Sequence, residues 1–352
     1  MSLEISELLK YSLESGASDL HLSVGSTPMV RINGLMKPLN LPQLEEDQME
    51  HIAGEVMNKD QLRMFRENKE IDFSTALEGY GRFRVNFFHQ INGLSGVFRA
   101  IPDEIKSFEE LSIPPVLKKL ALRDRGLILL TGPTGSGKST TLATMVNHIN
   151  ENRQYHIITI EDPVEYLHYT NNSLINQREL GATTHSFANA LRSALREDPD
   201  VILVGEMRDL ETVQLALTAA ETGHLVMSTL HTSSAAKTID RIIDIFPSAQ
   251  KGQIRSMLSE SLVAVIAQKL LLSKDEKSRI PACEIMVANT AVRNLIREDK
   301  IYQIPSIIQS GSTEGMQSLD QDLQRLVSQG KIERQTAAQI AENPKTFEQS
   351  II

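Results

Sequence analysis

One short segment constrains this chain more than any other. Residues Gly132–Ser139 read GPTGSGKS, which matches the order G-x-x-x-x-G-K-[ST]. An apolar run, Leu127–Leu130, precedes the segment, and a helical pattern, Thr140–Ile149, follows it. A glycine-rich turn between a buried strand and a helix is the context in which this motif cradles phosphates. The segment therefore predicts an α/β domain with a phosphate-binding loop.

The chemistry of phosphate binding explains each position of the loop. Glycines let backbone N–H groups face the phosphates, and the helix that follows adds the positive end of its dipole. Lys138 is predicted to place its charge on the β- and γ-phosphates, and the Ser139 hydroxyl to ligate Mg²⁺. The expected cofactors are ATP and Mg²⁺. The predicted nucleotide contacts from the loop are Gly132, Pro133, Thr134, Gly135, Ser136, Gly137, Lys138, Ser139 and Thr140.

Hydrolysis needs a carboxylate in addition to the loop, and two acidic segments follow apolar runs. Glu165 ends the segment Ile160–Glu165, and Glu206 follows the run Val201–Val204. Open α/β sheets bind ligands at the carboxyl ends of their strands. Both glutamates are therefore predicted to be catalytic, facing the γ-phosphate.

Two histidines bracket another apolar run, Leu225–Met227. His224 precedes this run, in Thr222-Gly223-His224, and His231 follows it, in Leu230-His231-Thr232. A phosphate-sensing role is predicted for both. A zinc site is not expected, because no cysteine lies nearby and a spacing of seven fits no helical ligand pair.

The N-terminal part of the chain has a different pattern of apolar and polar residues from the rest. Residues 1–100 mix helical spacing with period-two alternation, as in 82–87, and predict a small α+β domain with an antiparallel sheet. The dipeptides Asn33-Gly34 and Asn92-Gly93 predict hairpin turns. Three prolines within 101–118 predict a linker without regular structure.

Residues 119–352 are predicted to form the second domain. Apolar runs without alternation, separated by helical patterns, predict strands buried on both faces of a parallel sheet. After residue 233 the chain is predicted to be mostly helical, with a core helix over Ser261–Leu272 and an added strand at Glu284–Met286. The polar segment from Gln329 onward is predicted to be loosely attached.

The composition of the chain excludes or disfavours several functional classes for this protein. The 352 residues carry a net charge of −9, which disfavours a nucleic-acid binder that works through a basic footprint. The single cysteine, Cys283, allows neither an intrachain disulfide nor a four-cysteine zinc site. No signal peptide and no apolar run of about 20 residues is recognisable, so a cytoplasmic protein is expected.

With these motifs, the chain resembles the type IV pilus retraction ATPases of the secretion-ATPase superfamily. The resemblance extends from Ala17–His21 to Met316–Asp320, nearly the whole chain. One departure is Val292, where the family usually has isoleucine. The most specific matching segments are Gly132–Ser139, Ile160–Glu165, Arg196–Asp209, the surroundings of His224 and His231, and the helical motif Ala291–Glu298.

The resemblance implies a fold, an assembly and residue roles. The fold would be a PAS-like N-terminal domain joined flexibly to a RecA-like ATPase domain with C-terminal helices, assembled as a homohexamer. Glu206 would be the acid that contacts the metal, Glu165 would act on the attacking water, and both histidines would sense the γ-phosphate or a subunit boundary. The N-terminal arginines implied to reach the nucleotide are Arg82, Arg84 and Arg99.

The resemblance also implies partners and a location. The motor would be cytoplasmic, peripheral to the inner membrane at the pilus base, and would act on a pilus platform protein in that membrane. Other pilus ATPases are a further class of expected partner, and nucleic acid is not expected. The motif Ala291–Glu298 would support retraction without affecting nucleotide turnover.

Three alternatives stay open at this point. A pilus-assembly or secretion ATPase of the same superfamily usually carries additional N-terminal domains and often a four-cysteine module. A nucleic-acid translocase is disfavoured by the negative charge and by an aromatic content of 5% with no tryptophan, because single-strand grooves use aromatic stacking. A non-hydrolysing regulator is disfavoured by the presence of both Glu165 and Glu206.

Overall fold

Packing divides the chain into two compact units. The first comprises Met1–Glu104 with Pro163–Leu167, and the second comprises Ile105–Asp162 with His168–Ile352. The computed structural model describes residues 4–32, 34–77, 81–102, 104–275 and 278–348.

The first unit is an α+β structure, as predicted. Over the described residues its sheet has six strands in the order β3-β2-β1-β6-β5-β4, with every neighbouring pair antiparallel. The predicted alternation is confirmed, since Phe83, Val85 and Phe87 are buried while Arg82 and Arg84 are not. The elements are α1 (Ile5–Glu14), β1 (Asp19–Ser23), β2 (Met29–Ile32), β3 (Leu35–Pro38), α2 (Glu46–Val56), α3 (Lys59–Asn68), β4 (Glu70–Leu77), β5 (Gly81–Gln90) and β6 (Gly93–Ile101).

Both predicted hairpins are present in this sheet. The strands β2 and β3 pair antiparallel on either side of Asn33-Gly34, and β5 and β6 pair on either side of Asn92-Gly93. Asn33 lies outside the described residues, but Gly34 has a φ of +82° and Gly93 a φ of +126°. Glycine adopts positive φ at little cost, which permits these tight reversals.

The second unit contains a sheet covered on both faces. Over the described residues the strand order is β13-β12-β7-β11-β10-β8-β9, parallel except for the antiparallel edge strand β13. The strands are β7 (Gly126–Thr131), β8 (His156–Glu161), β9 (Leu174–Glu179), β10 (Val201–Val204), β11 (Leu225–Leu230), β12 (Leu262–Leu272) and β13 (Arg279–Val287). The helices are α4 (Val116–Ala121), α5 (Lys138–Asn152), α6 (Phe187–Ala194), α7 (Leu210–Glu221), α8 (Ala235–Asp244), α9 (Lys251–Ser261), α10 (Thr290–Arg297), α11 (Ile304–Ser310), α12 (Leu319–Ser328), α13 (Arg334–Ile340) and α14 (Lys345–Glu348).

Burial explains why the strands of this sheet show no alternation. Leu127 and Leu129 of β7 belong to one apolar cluster, whereas Ile128 and Leu130 belong to another. Each face of the strand therefore has its own core. The four apolar runs predicted as strands form β7, β8, β10 and β11, whereas the edge strand β9 was not predicted.

Two predictions about the second unit are wrong. Residues 262–272, predicted as a core helix, form the strand β12 between β7 and β13. A buried helix and a doubly buried strand both read as continuous apolar runs, so periodicity could not separate them. The segment after Gln329 is not loosely attached, because Ile332, Ala337 and Phe347 are buried in a cluster with α12. The helix α4 also begins inside the predicted linker, at Val116.

The motif Ala291–Glu298 lies largely on α10, a helix with one apolar face. Val292 and Ile296 are fully buried in the core. Arg293 donates hydrogen bonds to the backbone carbonyls of Ser259, Glu260 and Leu262 at 2.5, 2.6 and 2.9 Å. Because the last carbonyls of a helix have no partner within it, this guanidinium group caps α9.

Among the described residues, every helix is too short or too polar to span a membrane.

The packing of α12 on β13 predicts a large destabilisation in one variant. The buried carboxylate of Asp322 accepts from the backbone N–H of Cys283 at 2.8 Å and from Nε of Arg325 at 2.7 Å. Removing it leaves a buried donor and a charge unpaired. Asp322→Ala should lower the free energy of unfolding by about 3 kcal/mol, measured by urea denaturation.

Asp320→Ala is the control for this measurement. Asp320 is partly exposed and accepts from the backbone N–H groups of Glu342 and Asn343. Its loss should lower the free energy of unfolding by about 1 kcal/mol, because water can reach the freed groups. Equal losses in the two variants would contradict the importance assigned to the buried carboxylate.

Candidate active site

The glycine-rich loop leaves the sheet at the end of β7 and enters α5. Gly132, Gly135 and Gly137 all have positive φ, at 142°, 79° and 85°. At Gly132 a side chain is excluded by space as well, because a Cβ atom would lie 2.2 Å from the backbone oxygen of Gln268 on β12. The loop is thus pressed against the neighbouring strand, and only glycine permits that approach.

Lys138 is the first residue of α5 and is only 8% exposed. Its Nζ donates hydrogen bonds to the backbone oxygens of Gly132 at 2.9 Å and Pro133 at 3.1 Å. The ammonium group therefore lies within the loop that precedes it. Ser139 follows on the first turn of the helix and is partly exposed. A cation and a hydroxyl in this position suit a nucleotide phosphate and its metal ion.

Strand pairing brings the other candidate groups to the same edge of the sheet. Thr131 at the end of β7 pairs with Leu230 at the end of β11, and Val204 at the end of β10 pairs with Ser228. The strands are parallel, so their carboxyl ends lie together. Glu206 follows β10 by two residues and His231 follows β11 directly. The structure thus brings the loop, Glu206 and His231 to one edge.

Glu206 lies between the side chains of His231 and Arg208. One carboxylate oxygen is 3.1 Å from Nε2 of His231, and the other is 2.7 Å from a terminal nitrogen of Arg208. Burial raises the pKa of Glu206, whose side chain is 20% exposed, but the hydrogen bond from Arg208 and the charges of both neighbours outweigh it. The pKa of this carboxyl group therefore lies below its usual range, and Glu206 is ionised at neutral pH.

Hydroxyl groups tie the end of β7 to the loop that contains His231. The Oγ1 of Thr131 lies 2.6 Å from Oγ1 of Thr232, which lies 2.7 Å from Oγ1 of Thr238. Glu284 on β13 accepts from the backbone N–H of Ala235 at 2.7 Å. Burial raises the pKa of Glu284 despite that hydrogen bond. These contacts were not predicted, and the hydroxyl residues Thr232, Ser233 and Ser234 after β11 were their sign in the sequence.

His224 does not lie at this edge of the sheet. It precedes β11, and its backbone oxygen accepts from Gly126 at the start of β7. His231 follows the other end of β11, so about six strand residues, roughly 20 Å, separate the two histidines. The Nδ1 of His224 lies 3.0 Å from the oxygen of Ala219 on α7. Within the second unit, the structure therefore brings His231 but not His224 to the glycine-rich loop.

Glu165 is not among the groups that the second unit gathers. It is exposed and belongs to Pro163–Leu167, which packs with the first unit. The neighbouring Glu161 stays in the second unit at the end of β8. Its Oε1 accepts from Oγ1 of Thr159 at 2.6 Å and from Nε2 of Gln177 at 3.2 Å.

The three candidate arginines lie on β5 and β6 of the first unit. Arg84 forms an ion pair with Asp72 at 2.5 Å, and Arg99 donates to the buried carboxylate of Asp19 at 2.8 Å. Arg82 donates to a serine hydroxyl on β4 at 2.8 Å. Each side chain thus has a partner on its own sheet, and a role toward the nucleotide stays a prediction for all three.

The chain is similar to known proteins over nearly its whole length. The family described as Type II/IV secretion system protein matches residues 3–351. The type IV pilus retraction ATPase PilT of Pseudomonas aeruginosa is 53% identical over 98% of this chain and 100% of its own length. A twitching motility protein of Neisseria gonorrhoeae is 56% identical over 91% of this chain and 86% of its own. The crystal structure of the pilus retraction motor PilT with bound ADP superposes with a TM-score of 0.92, at 48% identity, over 99% of this chain and 100% of that one.

The fold and the phosphate loop define a P-loop ATPase with a small N-terminal α+β domain. The chain belongs to the type II/IV secretion system protein family and, within it, groups with the pilus retraction ATPases.

The close approach of Gly132 to β12 predicts a loss of nucleotide affinity on substitution. In Gly132→Ala the new methyl group meets a backbone atom that cannot rotate away. The loop must move, and we expect the affinity for a fluorescent ATP analogue to fall more than tenfold, measured by equilibrium titration.

Gly181→Ala provides the control for backbone strain alone. Gly181 also has a positive φ, +79°, but nothing lies within 4 Å of a Cβ placed there. This variant should lose about 1 kcal/mol of stability and keep its nucleotide affinity. Unchanged affinity in Gly132→Ala would contradict the steric explanation.

The contact between Arg208 and Glu206 predicts a shift in the pH dependence of ATP hydrolysis. A depressed pKa keeps Glu206 ionised until the pH falls through that value. In Arg208→Ala the pKa of Glu206 should rise, because burial then acts with less opposition. The acid limb of the pH profile of kcat/KM should therefore move to higher pH.

The pH profile of Arg192→Ala is the matched comparison. Arg192 is an exposed arginine paired with Glu211 between α6 and α7. Its removal should leave the acid limb in place. An acid limb that stays fixed in Arg208→Ala would show that Glu206 does not set it.

Proposed function

We propose that this chain is a motor that hydrolyses ATP to retract type IV pili. One observation carries the proposal: a phosphate loop and an ionised carboxylate, paired with His231 and Arg208, lie at one edge of a parallel sheet. Its relatives, a pilus retraction ATPase and a twitching motility protein, indicate the cellular process.

The residues present suit a nucleotide and its metal ion. Gly132, Gly135 and Gly137 all have positive φ, and such a backbone can curve so that its N–H groups face a phosphate. The hydroxyl of Ser139 and the carboxylate of Glu206 are oxygen ligands of the kind that Mg²⁺ takes beside nucleotide phosphates. Mg²⁺ held by these two side chains would supply positive charge against the negative charge that develops on the phosphates.

The hydrolytic step assigns a task to each of these side chains. The oxygen of a water molecule attacks the γ-phosphorus while the bond to the β,γ-bridging oxygen breaks, which gives ADP and phosphate. Lys138 stabilises charge on the β- and γ-phosphates. Glu206 would help to hold the metal ion beside the phosphates. Glu165 would accept the proton of the attacking water, a role that rests on its resemblance to the family pattern.

His231 is proposed to report the state of the γ-phosphate. It contacts Glu206 directly, and the threonines beside it reach the strand that carries the phosphate loop. Loss of the γ-phosphate changes the charge at this edge, so the Glu206–His231 contact can respond to hydrolysis. On the family resemblance alone, His224 is proposed to sense the γ-phosphate or a subunit boundary, and Arg82, Arg84 and Arg99 are proposed to reach the nucleotide.

The proposed working form is a ring of six identical chains. Such a motor would be cytoplasmic and peripheral to the inner membrane at the base of the pilus. It would act on a platform protein in that membrane, alone or with other pilus ATPases. A bound nucleotide can drive a movement of this kind only by binding one conformation more tightly than another.

The assigned role of Glu206 predicts the behaviour of an isosteric variant. Glu206→Gln keeps the size of the side chain and one hydrogen-bond-accepting oxygen but removes its charge. We expect kcat for ATP to fall at least a hundredfold, with affinity for the ATP analogue changed less than threefold, measured on the full-length protein.

Glu211→Gln is the control for this variant. Glu211 is an exposed glutamate in the first turn of α7, where it pairs with Arg192. Its rate should stay within about twofold of the unsubstituted protein, because a surface pair contributes little. Normal turnover in Glu206→Gln would contradict the proposed mechanism.

The cellular role is tested by the same variant. Bacteria whose only copy carries Glu206→Gln should show abundant surface pili by electron microscopy and no twitching motility. Cells without pili would instead assign the motor to pilus assembly, and the ATPase mechanism would stand.

A further inference from the structure

The glycine-rich loop is supported from behind by a buried side chain on β12. Gln268 is 2% exposed and is the one residue without an apolar side chain in the stretch 262–268. The neighbouring Ala267 pairs with Thr131, the last residue of β7, so Gln268 lies beside the start of the loop. Its own backbone oxygen is the atom that excludes a Cβ at Gly132.

The side-chain amide of Gln268 joins the loop to the helix that follows. Nε2 donates to the backbone oxygen of Ser136 at 2.6 Å, and Oε1 accepts from Oγ1 of Thr141 at 2.9 Å. The amide has this orientation because a carbonyl oxygen needs a donor, whereas a hydroxyl can serve an acceptor. One residue thus connects β12, the end of the loop and the first turn of α5.

The contact with Ser136 sets the direction of a loop N–H group. A trans peptide is planar, so the C=O of Ser136 and the N–H of Gly137 point in opposite directions. The C=O points to Gln268 at the back of the loop, and the N–H of Gly137 therefore points to the front. Backbone N–H groups on the front face are the donors with which such loops hold phosphate.

We propose that Gln268 is a positioning residue that fixes the peptide between Ser136 and Gly137 and so sets nucleotide affinity. It acts through the loop backbone and touches neither the phosphates nor the attacking water. The inference rests on the proposed binding of ATP at this loop. Its loss should weaken ground-state binding of nucleotide more than it slows the chemical step.

The first test is Gln268→Met, which keeps the length of the side chain and removes both hydrogen bonds. Affinity for N-methylanthraniloyl-ATP with Mg²⁺ should fall about tenfold in the full-length protein, and KM for ATP should rise in parallel. We expect kcat to change less than threefold. Gln317→Met is the matched control, because Gln317 donates to the backbone oxygen of Cys283 on β13, the edge strand of the sheet. Its nucleotide affinity should stay within twofold.

The second test is Gln268→Glu, which separates positioning from general support of the core. An ionised carboxylate cannot donate to Ser136, and it repels that oxygen. A protonated carboxyl group can donate again, and burial raises the pKa of such a group. The affinity of Gln268→Glu relative to the unsubstituted protein should therefore recover as the pH falls, whereas the ratio for Gln268→Met should stay constant.

The outcomes distinguish this inference from the proposed function. If the unsubstituted protein fails to bind the analogue, the proposed function is wrong. If it binds and both Gln268 variants bind within twofold of it, the positioning role is wrong. A fall in kcat with unchanged affinity also overturns it. If Gln268→Glu does not fold, the comparison of Gln268→Met with Gln317→Met decides the question by itself.

Discussion

The nucleotide site depends on the lateral pairing of β7 with its two neighbours. On one side, β11 ends level with β7 and β10 ends two residues earlier, and this places Glu206 and His231 at the edge where the glycine-rich loop begins. On the other side, β12 continues past the end of β7 and supports the back of that loop with Gln268. The amino-acid sequence of the loop is suited to phosphate binding by itself. The neighbouring strands give the loop a fixed shape and place a charged side chain beside it.

The parts of the site that local spacing determines were predictable. The loop was recognised because the glycines, Lys138 and Ser139 are adjacent in sequence, and the helix and strand that flank it followed from their own patterns. Glu206 and His231 were identified because each follows a short apolar run that became a strand. In these cases, the direction of the strand is enough to say at which end of the sheet a residue lies.

The remaining features depend on which segments become neighbours. A doubly buried strand and a buried helix look alike in sequence, so β12 was predicted as a helix and the position of Gln268 behind the loop was hidden. His224 was assigned with His231 because they flank the same run, yet flanking a strand places residues at its opposite ends. Glu165 follows Glu161 by only four residues, but the two belong to different packing units.

The contact between Gly132 and β12 has a genetic consequence. The atom that fills the space of the missing side chain is the main-chain oxygen of Gln268, which every amino acid at that position retains. A defect caused by alanine at position 132 therefore has no suppressor among substitutions at position 268. Only a change in the path of a whole strand could restore the space, and such a change would disturb the pairing on which the site is built.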